Sequence, residues 1–314
     1  MKKIFIAAFL FLGLQQTFSQ PDTVKMGTFV ISVHDINFHD KEYTMRFWLW
    51  FLYENQDFDF SKQLDIINAK SFDPPEVITD KMNGKTWAMM KMKATMKENW
   101  LVHDFPFDKQ HLKVEIENSI YDKGSLVFNP DVKGSVYDKN ETIDGWQISN
   151  FKVSAGENLY YTGFGDDRPG RDKQTFSQFV IEMDIEREAI GLFMKIFIGM
   201  YIAFLIATIS FAPKPSELEP RFGLPVGGLF AAVGNKYIID SLLPETSSFT
   251  LVDTLHTITF ISIFVTLMIS AVSLKYHDNG EDAKAVRFSY IGSRALIASY
   301  VLLNAFFIIK AAWQ

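Results

Sequence analysis

The sequence predicts two domains in series: an extracytoplasmic all-β, immunoglobulin-like sandwich of about ten strands, then an α-helical domain of four transmembrane helices. Three observations carry this expectation. Charged residues concentrate before Arg187 and long apolar runs concentrate after it. The first part alternates short β-branched and aromatic runs with turn signals. The second part holds apolar stretches each close to the roughly 20 residues that a helix needs to cross a bilayer's hydrocarbon core.

The chain opens with Lys2-Lys3, an apolar run from Ile4 to Leu14, and a polar end at Thr17-Phe18-Ser19. A basic start, a short apolar stretch and small residues form the layout of a cleaved signal peptide. Residues 1–19 are therefore expected to be a leader, with cleavage after Ser19. The apolar run is too short to span a bilayer comfortably.

Residues 20–188 are expected to form the sandwich. Strand candidates are 28–33, 43–51, 87–96, 109–117, 146–153 and 175–185, where residue types suited to a pleated surface recur. Asp73-Pro74-Pro75, Asn83-Gly84, Asp122-Lys123-Gly124, Asn129-Pro130-Asp131 and Asp144-Gly145 punctuate them as turns. The polar, glycine-rich residues 163–173 should form an exposed loop.

Residues 189–314 are expected to hold helices at about 191–212, 222–243, 251–274 and 288–312. Pro213-Lys214-Pro215 ends the first and Pro244 ends the second. A leader would place the sandwich outside. Lys214, Arg221, Lys275, Lys284 and Arg287 would then lie inside, while residues 244–250 carry no Lys or Arg. That asymmetry obeys the positive-inside rule.

Composition narrows the function. The net charge of -6 argues against nucleic acid as a partner. With no cysteine there is no disulfide, thiol nucleophile or thiolate metal site. The six histidines show no HExxH spacing. His34-Asp35, His39-Asp40 and His103-Asp104 are neighbours that a regular strand would point to opposite faces. No enzyme activity, cofactor or metal is expected.

On the second membrane helix, Gly223, Gly227, Phe230, Gly234, Tyr237 or Ile238, and Ser241 fall on one face. Small residues there could line a pathway, or Gly223 and Gly227 could let two helices pack closely. Lys236 and Asp240, four apart, could pair along the helix. Glu217, Glu219 and Arg221 gather charge at its beginning.

The string Asp104-Phe105-Pro106-Phe107-Asp108-Lys109-Gln110-His111-Leu112 resembles the FPFDxQ signature of pentameric ligand-gated ion channels, the Cys-loop receptor superfamily. The framing cysteines are absent, as in bacterial members. Gly145 through Phe151, Ile185-Glu186-Arg187, Glu219 through Arg221, Leu243-Pro244 and Phe249 through Asp253 resemble further family segments in the same order.

The resemblance implies a homopentamer in a cytoplasmic membrane, contacting lipid, with the sandwich in the periplasm or outside. It also implies gating of inorganic ions by a small-molecule or proton ligand. Gly223, Gly227, Phe230, Gly234, Ile238 and Ser241 would then line the pore, with Phe230 at a hydrophobic gate. Glu217 and Glu219 would ring the inner mouth and lean the pore toward cations, with Arg221 opposing them. Asp108 and Arg187 would pair where the domains meet, with Pro106 and Pro244 in the same coupling layer. Reversing either charge of that pair would impair function or assembly, and reversing both would partly restore it. Phe72, Tyr121, Tyr160, Tyr161 and Phe164 are candidates for the ligand site, with Trp48 or Trp50 from the neighbouring subunit. At 15% aromatic, most such rings must serve the core, and Trp146 is assigned there. The alternative is a non-conducting, membrane-anchored sensor or binding protein of the same architecture.

Overall fold

A computed structural model describes residues 20–168 and 170–313. The expected leader lies outside the described residues.

Among the described residues, eleven strands form two sheets, one of seven strands and one of four. The larger is built on β1 (Asp22–Asn37), β2 (Glu42–Tyr53) and β6 (Lys85–Lys97). The smaller runs β10 (Trp146–Tyr160), β11 (Gln174–Arg187), β7 (Lys109–Asn118) and β3 (Leu64–Ile66). Each of the six strand candidates falls within one of the six long strands. On β2, alternation from Met45 onward made the strand legible. On β2, Tyr43, Met45, Phe47, Leu49 and Phe51 are buried, while Arg46, Trp48 and Trp50 turn to the other face. Leu112, Val114, Ile116, Phe179, Ile181 and Met183 complete the core from the smaller sheet.

Sequence patterning missed the short strands. β8 (Leu126–Pro130) pairs in parallel with β1 and so absorbs Asn129-Pro130, which had read as a turn. Proline is tolerated there because it ends a strand at a sheet edge. β4 (Ala69–Phe72), β5 (Glu76–Met82) and β9 (Val136–Tyr137) are also too short or too exposed to show a period. Asn83-Gly84 does form a turn between β5 and β6, with positive φ at both residues as a two-residue hairpin requires. His34 and Asp35 do not point apart. The ladder slips between His34 and Asn37 and Asp35 takes φ 54°, which brings Asp35 Oδ2 to 2.8 Å from His34 Nδ1.

Four helices follow that are long and apolar enough to cross a membrane: α2 (Ala189–Ile209), α3 (Leu218–Asp240), α4 (Leu251–Asp278) and α5 (Asp282–Ala312). The earlier helical turn α1 (Phe60–Gln63) lies in the sandwich. Most helix limits differ from the apolar segments: α2 stops three residues before 212, and α4 runs four residues past 274. α5 starts six residues before 288, because Asp282, Lys284 and Arg287 interrupt the apolar pattern while Ala283, Lys284, Ala285 and Arg287 favour a helix. α3 starts at Leu218, with Pro220 in its first turn, and stops at Asp240. Ser241 is its cap residue and Leu243-Pro244 lie beyond it.

Polar side chains knit the helices. Asn235 of α3 donates to the Ile196 carbonyl of α2 at 3.1 Å, and its Oδ1 lies 3.1 Å from His256 Nε2 of α4. Tyr201 and Phe204 of α2 meet Tyr300 of α5, whose hydroxyl lies 3.0 Å from that of Thr259.

The glycine at which α3 closes on α2 is Gly228, outside the Gly223 and Gly227 pair. A Cβ there would sit 2.6 Å from the Ala203 carbonyl oxygen, whereas Gly223, Gly227 and Gly234 have nothing within 4 Å. Gly228→Ala is therefore expected to cost about 1–3 kcal/mol. Gly227→Ala should stay within about 0.5 kcal/mol of wild type. Thermal unfolding of the detergent-solubilised protein compares them, and equal midpoints would refute the assigned contact.

Candidate functional site

The junction of the two domains is built on one ion pair. Arg187 ends β11 one residue before the cap of α2, and Asp108 immediately precedes β7. Antiparallel pairing of those strands brings Glu186 opposite Lys109 and the two side chains together. Arg187 Nε lies 2.7 Å from Asp108 Oδ1 and NH2 lies 3.1 Å from Oδ2, a two-point contact. The side chains are 10% and 1% exposed.

Three aromatic residues enclose the guanidinium. Its central carbon lies 3.9 Å from the Trp146 ring centre, 4.7 Å from Phe38 and 5.0 Å from Phe105. Each offers a face to the cation. Gln110 donates to Asp108 at 2.6 Å and clasps the backbone of Leu101 through both ends of its amide. Phe38, Phe105 and Gln110 were not legible as partners, because the cage is assembled from separate loops and strands. Trp146 belongs to the core, as the sequence suggested, and also stacks on Arg187.

The same loop touches the helices twice. Phe107 packs on Phe193 of α2 at 5.6 Å, and the His103 carbonyl accepts from the Leu251 N–H, the first residue of α4, at 2.8 Å. That bond satisfies one of the orphan donors of a helix start. Pro106 is buried within this loop and Pro244 within the α3–α4 link. Thr250 and Asp253 form a capping box on α4. Asp253 in turn lies 2.8 Å from Lys236 of α3, which also holds Asp240 at 2.5 Å. The spacing on α3 identified Lys236 with Asp240; the bridge to α4 was invisible without the fold. Of the neighbouring acids, Glu42 pairs with Lys70. Asp35 instead lines a cavity of about 530 Å³ beside Trp146 and Arg187.

α3 divides into two faces. Arg221, Pro225, Gly228, Ala232 and Ile239 pack into the bundle. Gly223, Gly227, Phe230, Gly234, Ile238 and Ser241 all lie on the opposite, uncovered side, with Phe230 73% exposed. Glu217 and Glu219 are exposed at its beginning. Arg221 does not join them. It is 2% exposed and turns inward, donating to the Pro213 carbonyl and to Ser289 Oγ, each at 3.1 Å. Helical spacing accounts for this: residue 221 falls half a turn away from the exposed stripe.

The aromatic candidates separate into groups. Tyr160 and Phe164 meet at 5.3 Å and gather Phe176 at 5.6 Å from Tyr160. The Tyr160 hydroxyl donates to Glu117 Oε1 at 2.5 Å, while Glu117 Oε2 is buried without a hydrogen-bond partner. Tyr161 is exposed beside Lys173, 5.2 Å from its ring centre. Burial raises the Glu117 carboxyl above its ordinary range, opposed by the Tyr160 hydrogen bond. Burial and the Glu117 charge together push the Tyr160 hydroxyl up.

Tyr121 and Phe72 stay apart from this group. Tyr121 packs edge-on against Phe58, and Phe72 leans on the core. Trp48 and Trp50 belong to the other sheet. Trp50 covers Gly27 so closely that a Cβ there would lie 2.4 Å from its ring, which commits Trp50 to packing. Trp48 carries Lys91 at 5.5 Å. Among the described residues no cluster of His, Asp and Glu could hold a metal.

No protein-family profile matches the chain. It is similar to a subunit of an acetylcholine-gated chloride channel, acc-1, of Caenorhabditis elegans, at 26% identity over 192 residues. The match covers 60% of this chain and 39% of the relative's length. That weak similarity, the sandwich and the four apolar helices together fit a multi-pass membrane protein with the architecture of a pentameric ligand-gated channel.

Proposed function

We propose that this chain is one subunit of a homopentameric, prokaryotic-type ligand-gated ion channel. It would gate passive ion flow across a cytoplasmic membrane, with the sandwich in the periplasm or outside. The observation that carries this proposal is the division of α3: its small-residue stripe around Phe230 is left uncovered by its own bundle. Five such stripes around an axis would enclose a path that the Phe230 rings can close by dewetting. Glu217 and Glu219 would face permeant ions at the inner mouth and favour cations, since Arg221 is withdrawn into the bundle. The relative's own name describes a chloride channel, so the reversal potential is the discriminating quantity. It is expected to follow the cation gradient, and a potential following chloride would overturn the selectivity.

The agonist would bind between sandwiches, with Tyr160, Tyr161 and Phe164 on one subunit and Trp48 on the next. Glu117, whose Oε1 accepts from the Tyr160 hydroxyl and whose Oε2 has no hydrogen-bond partner, suits an amine. A raised carboxyl pKa gives this a sign. The neutral form is favoured in the folded protein, so the related stability is complete below the ordinary carboxylate range. It is lost as pH rises through the raised value. Affinity for an amine is gained over that same window, because only the ionised carboxylate pairs with it. Glu117→Gln is expected to flatten this pH dependence and to weaken amine binding about tenfold, ~1.4 kcal/mol. Unchanged affinity and slope in the variant would remove Glu117 from the site.

Reconstitution in planar bilayers tests the function. With small amines and pH steps as stimuli, wild type is expected to give gated currents. Phe230→Ala, without the hydrophobic constriction, is expected to leak at rest. No current from either, with pentamers confirmed, would favour the membrane-anchored sensor.

A further inference from the structure

His111 of β7 holds its imidazole between two carboxylates of β11. Nδ1 lies 2.5 Å from Asp184 Oδ1, and Nε2 lies 3.2 Å from Glu182 Oε1. The other oxygen of each acid is already taken. Asn150 of β10 donates to Asp184 Oδ2 at 2.9 Å, and Lys152 Nζ lies 3.1 Å from Glu182 Oε2. Strand pairing assembles the group, since Asp184 stands opposite His111 in one ladder and opposite Asn150 in the other.

A proton count decides what the ring must be. An ionised carboxylate only accepts, and a neutral imidazole has one N–H and one lone pair. A neutral ring would therefore bond one acid and turn its lone pair toward the other. The imidazolium, with two N–H groups, satisfies both contacts. Charge agrees, because Asp184 and Glu182 against Lys152 leave one negative charge for the ring to offset.

The other charges around the ring are accounted for. On β7, Lys109 and Lys113 flank His111 and are engaged by Glu186 and Glu115. Glu98, in the loop leading to Asp108, feels the His111 charge: burial raises its carboxyl, opposed by the Asn99 N–H and by that charge. The His111 hydrogen bond, and then that of Asn150, hold the Asp184 carboxyl below its ordinary range. Stability from Asp184 is thus present above the ordinary carboxylate range and lost as pH falls through the depressed value. Histidine is the side chain that ordinarily changes charge between about pH 5 and 8. The bridge is therefore complete in a window, with its acid edge at Asp184 and its alkaline edge at His111.

We propose that His111 is a proton-binding site that clamps β7 to β11 beside the domain junction, and that loss of its proton slackens the ladder there. Two rungs, Gln110–Ile185 and Lys109–Glu186, separate His111 from Asp108 and Arg187. Gln110, the next residue, itself donates to Asp108. Proton loss is thereby felt at the caged ion pair. Only the folded sandwich is required, neither conduction nor an agonist.

Hydrogen exchange of the full-length protein in detergent tests this at about pH 6 and about pH 8, after correction for the intrinsic pH dependence of exchange. In wild type, amides around 109–113 and 182–187 are expected to lose protection about threefold between the two, the scale of a half-exposed ion pair. His111→Gln should show the lower protection at both. Glu182→Gln should show the higher protection at both, because its amide can donate to the lone pair of a neutral ring while its oxygen keeps Lys152. A flat wild type would overturn the proposal. So would a full pH response in Glu182→Gln, an arm that stands even if His111→Gln fails to fold. A response that persists in His111→Gln would place the proton on another group and overturn it too.

Discussion

Asp108→Ala is expected to cost about 3–5 kcal/mol and, in the channel proposed above, to abolish gating, because it strands the Arg187 guanidinium in a nearly dry cage. Arg187→Ala should be comparably damaging, leaving a carboxylate that is 1% exposed beside Gln110. Sequence resemblance suggested that reversing both charges would partly restore the pair. The cage changes that expectation. Trp146, Phe38 and Phe105 present ring faces at 3.9–5.0 Å, which favour a cation and disfavour an anion. The combined Asp108→Arg and Arg187→Asp variant would place a carboxylate among those rings and is expected to rescue little. Arg187→Lys should retain charge but lose the two-point contact, giving an intermediate loss. Surface expression and size-exclusion profiles separate failed assembly from failed gating. Recovery of wild-type behaviour in the double reversal would show that the cage has no influence on which charge sits in it.

Lys236→Met is expected to be the second most disruptive substitution. Lys236 is the ionic tie between α3 and α4, and its partner Asp253 also closes the capping box that begins α4. Loss of a largely buried charged hydrogen bond costs about 1.5–3 kcal/mol, and Asp240 and Asp253 would then face each other without a cation. In the channel proposed above, agonist response curves should shift about tenfold to higher concentration. A double-mutant cycle with Asp253→Asn isolates the tie. Coupling of 1 kcal/mol or more is expected, whereas additivity within about 0.5 kcal/mol would mean that the bridge transmits nothing.

These two sites show what a sequence can and cannot disclose. The long strands were legible because β2 alternates buried and outward residues, and the helices because their apolar runs match a bilayer. β8 and β9 were not, since five and two residues carry no period. Asp108 and Arg187 were legible through resemblance, but the rings around Arg187 come from positions 38, 105 and 146. Only the folded chain brings those together. Arg221 shows the converse: its place beside Glu219 in sequence suggested a shared mouth, while the helix turns it to the packed side. Glu117 gave no signal, because one acid on an alternating strand looks like any solvated residue until Tyr160 is seen to cover it.

The central claim, that the α3 stripe faces water in a closed ring of subunits, is open to direct measurement because the chain has no cysteine to remove. Single cysteines at Phe230, Gly234, Val301 and Leu302 would be exposed to a membrane-impermeant thiol reagent in reconstituted protein. All four positions are exposed on the isolated subunit, so only assembly in the membrane can distinguish them. Thiols at 230 and 234 are expected to react at least tenfold faster than those at 301 and 302, and their modification to block the current. Equal, slow reaction at all four would place the stripe against lipid and contradict the claim.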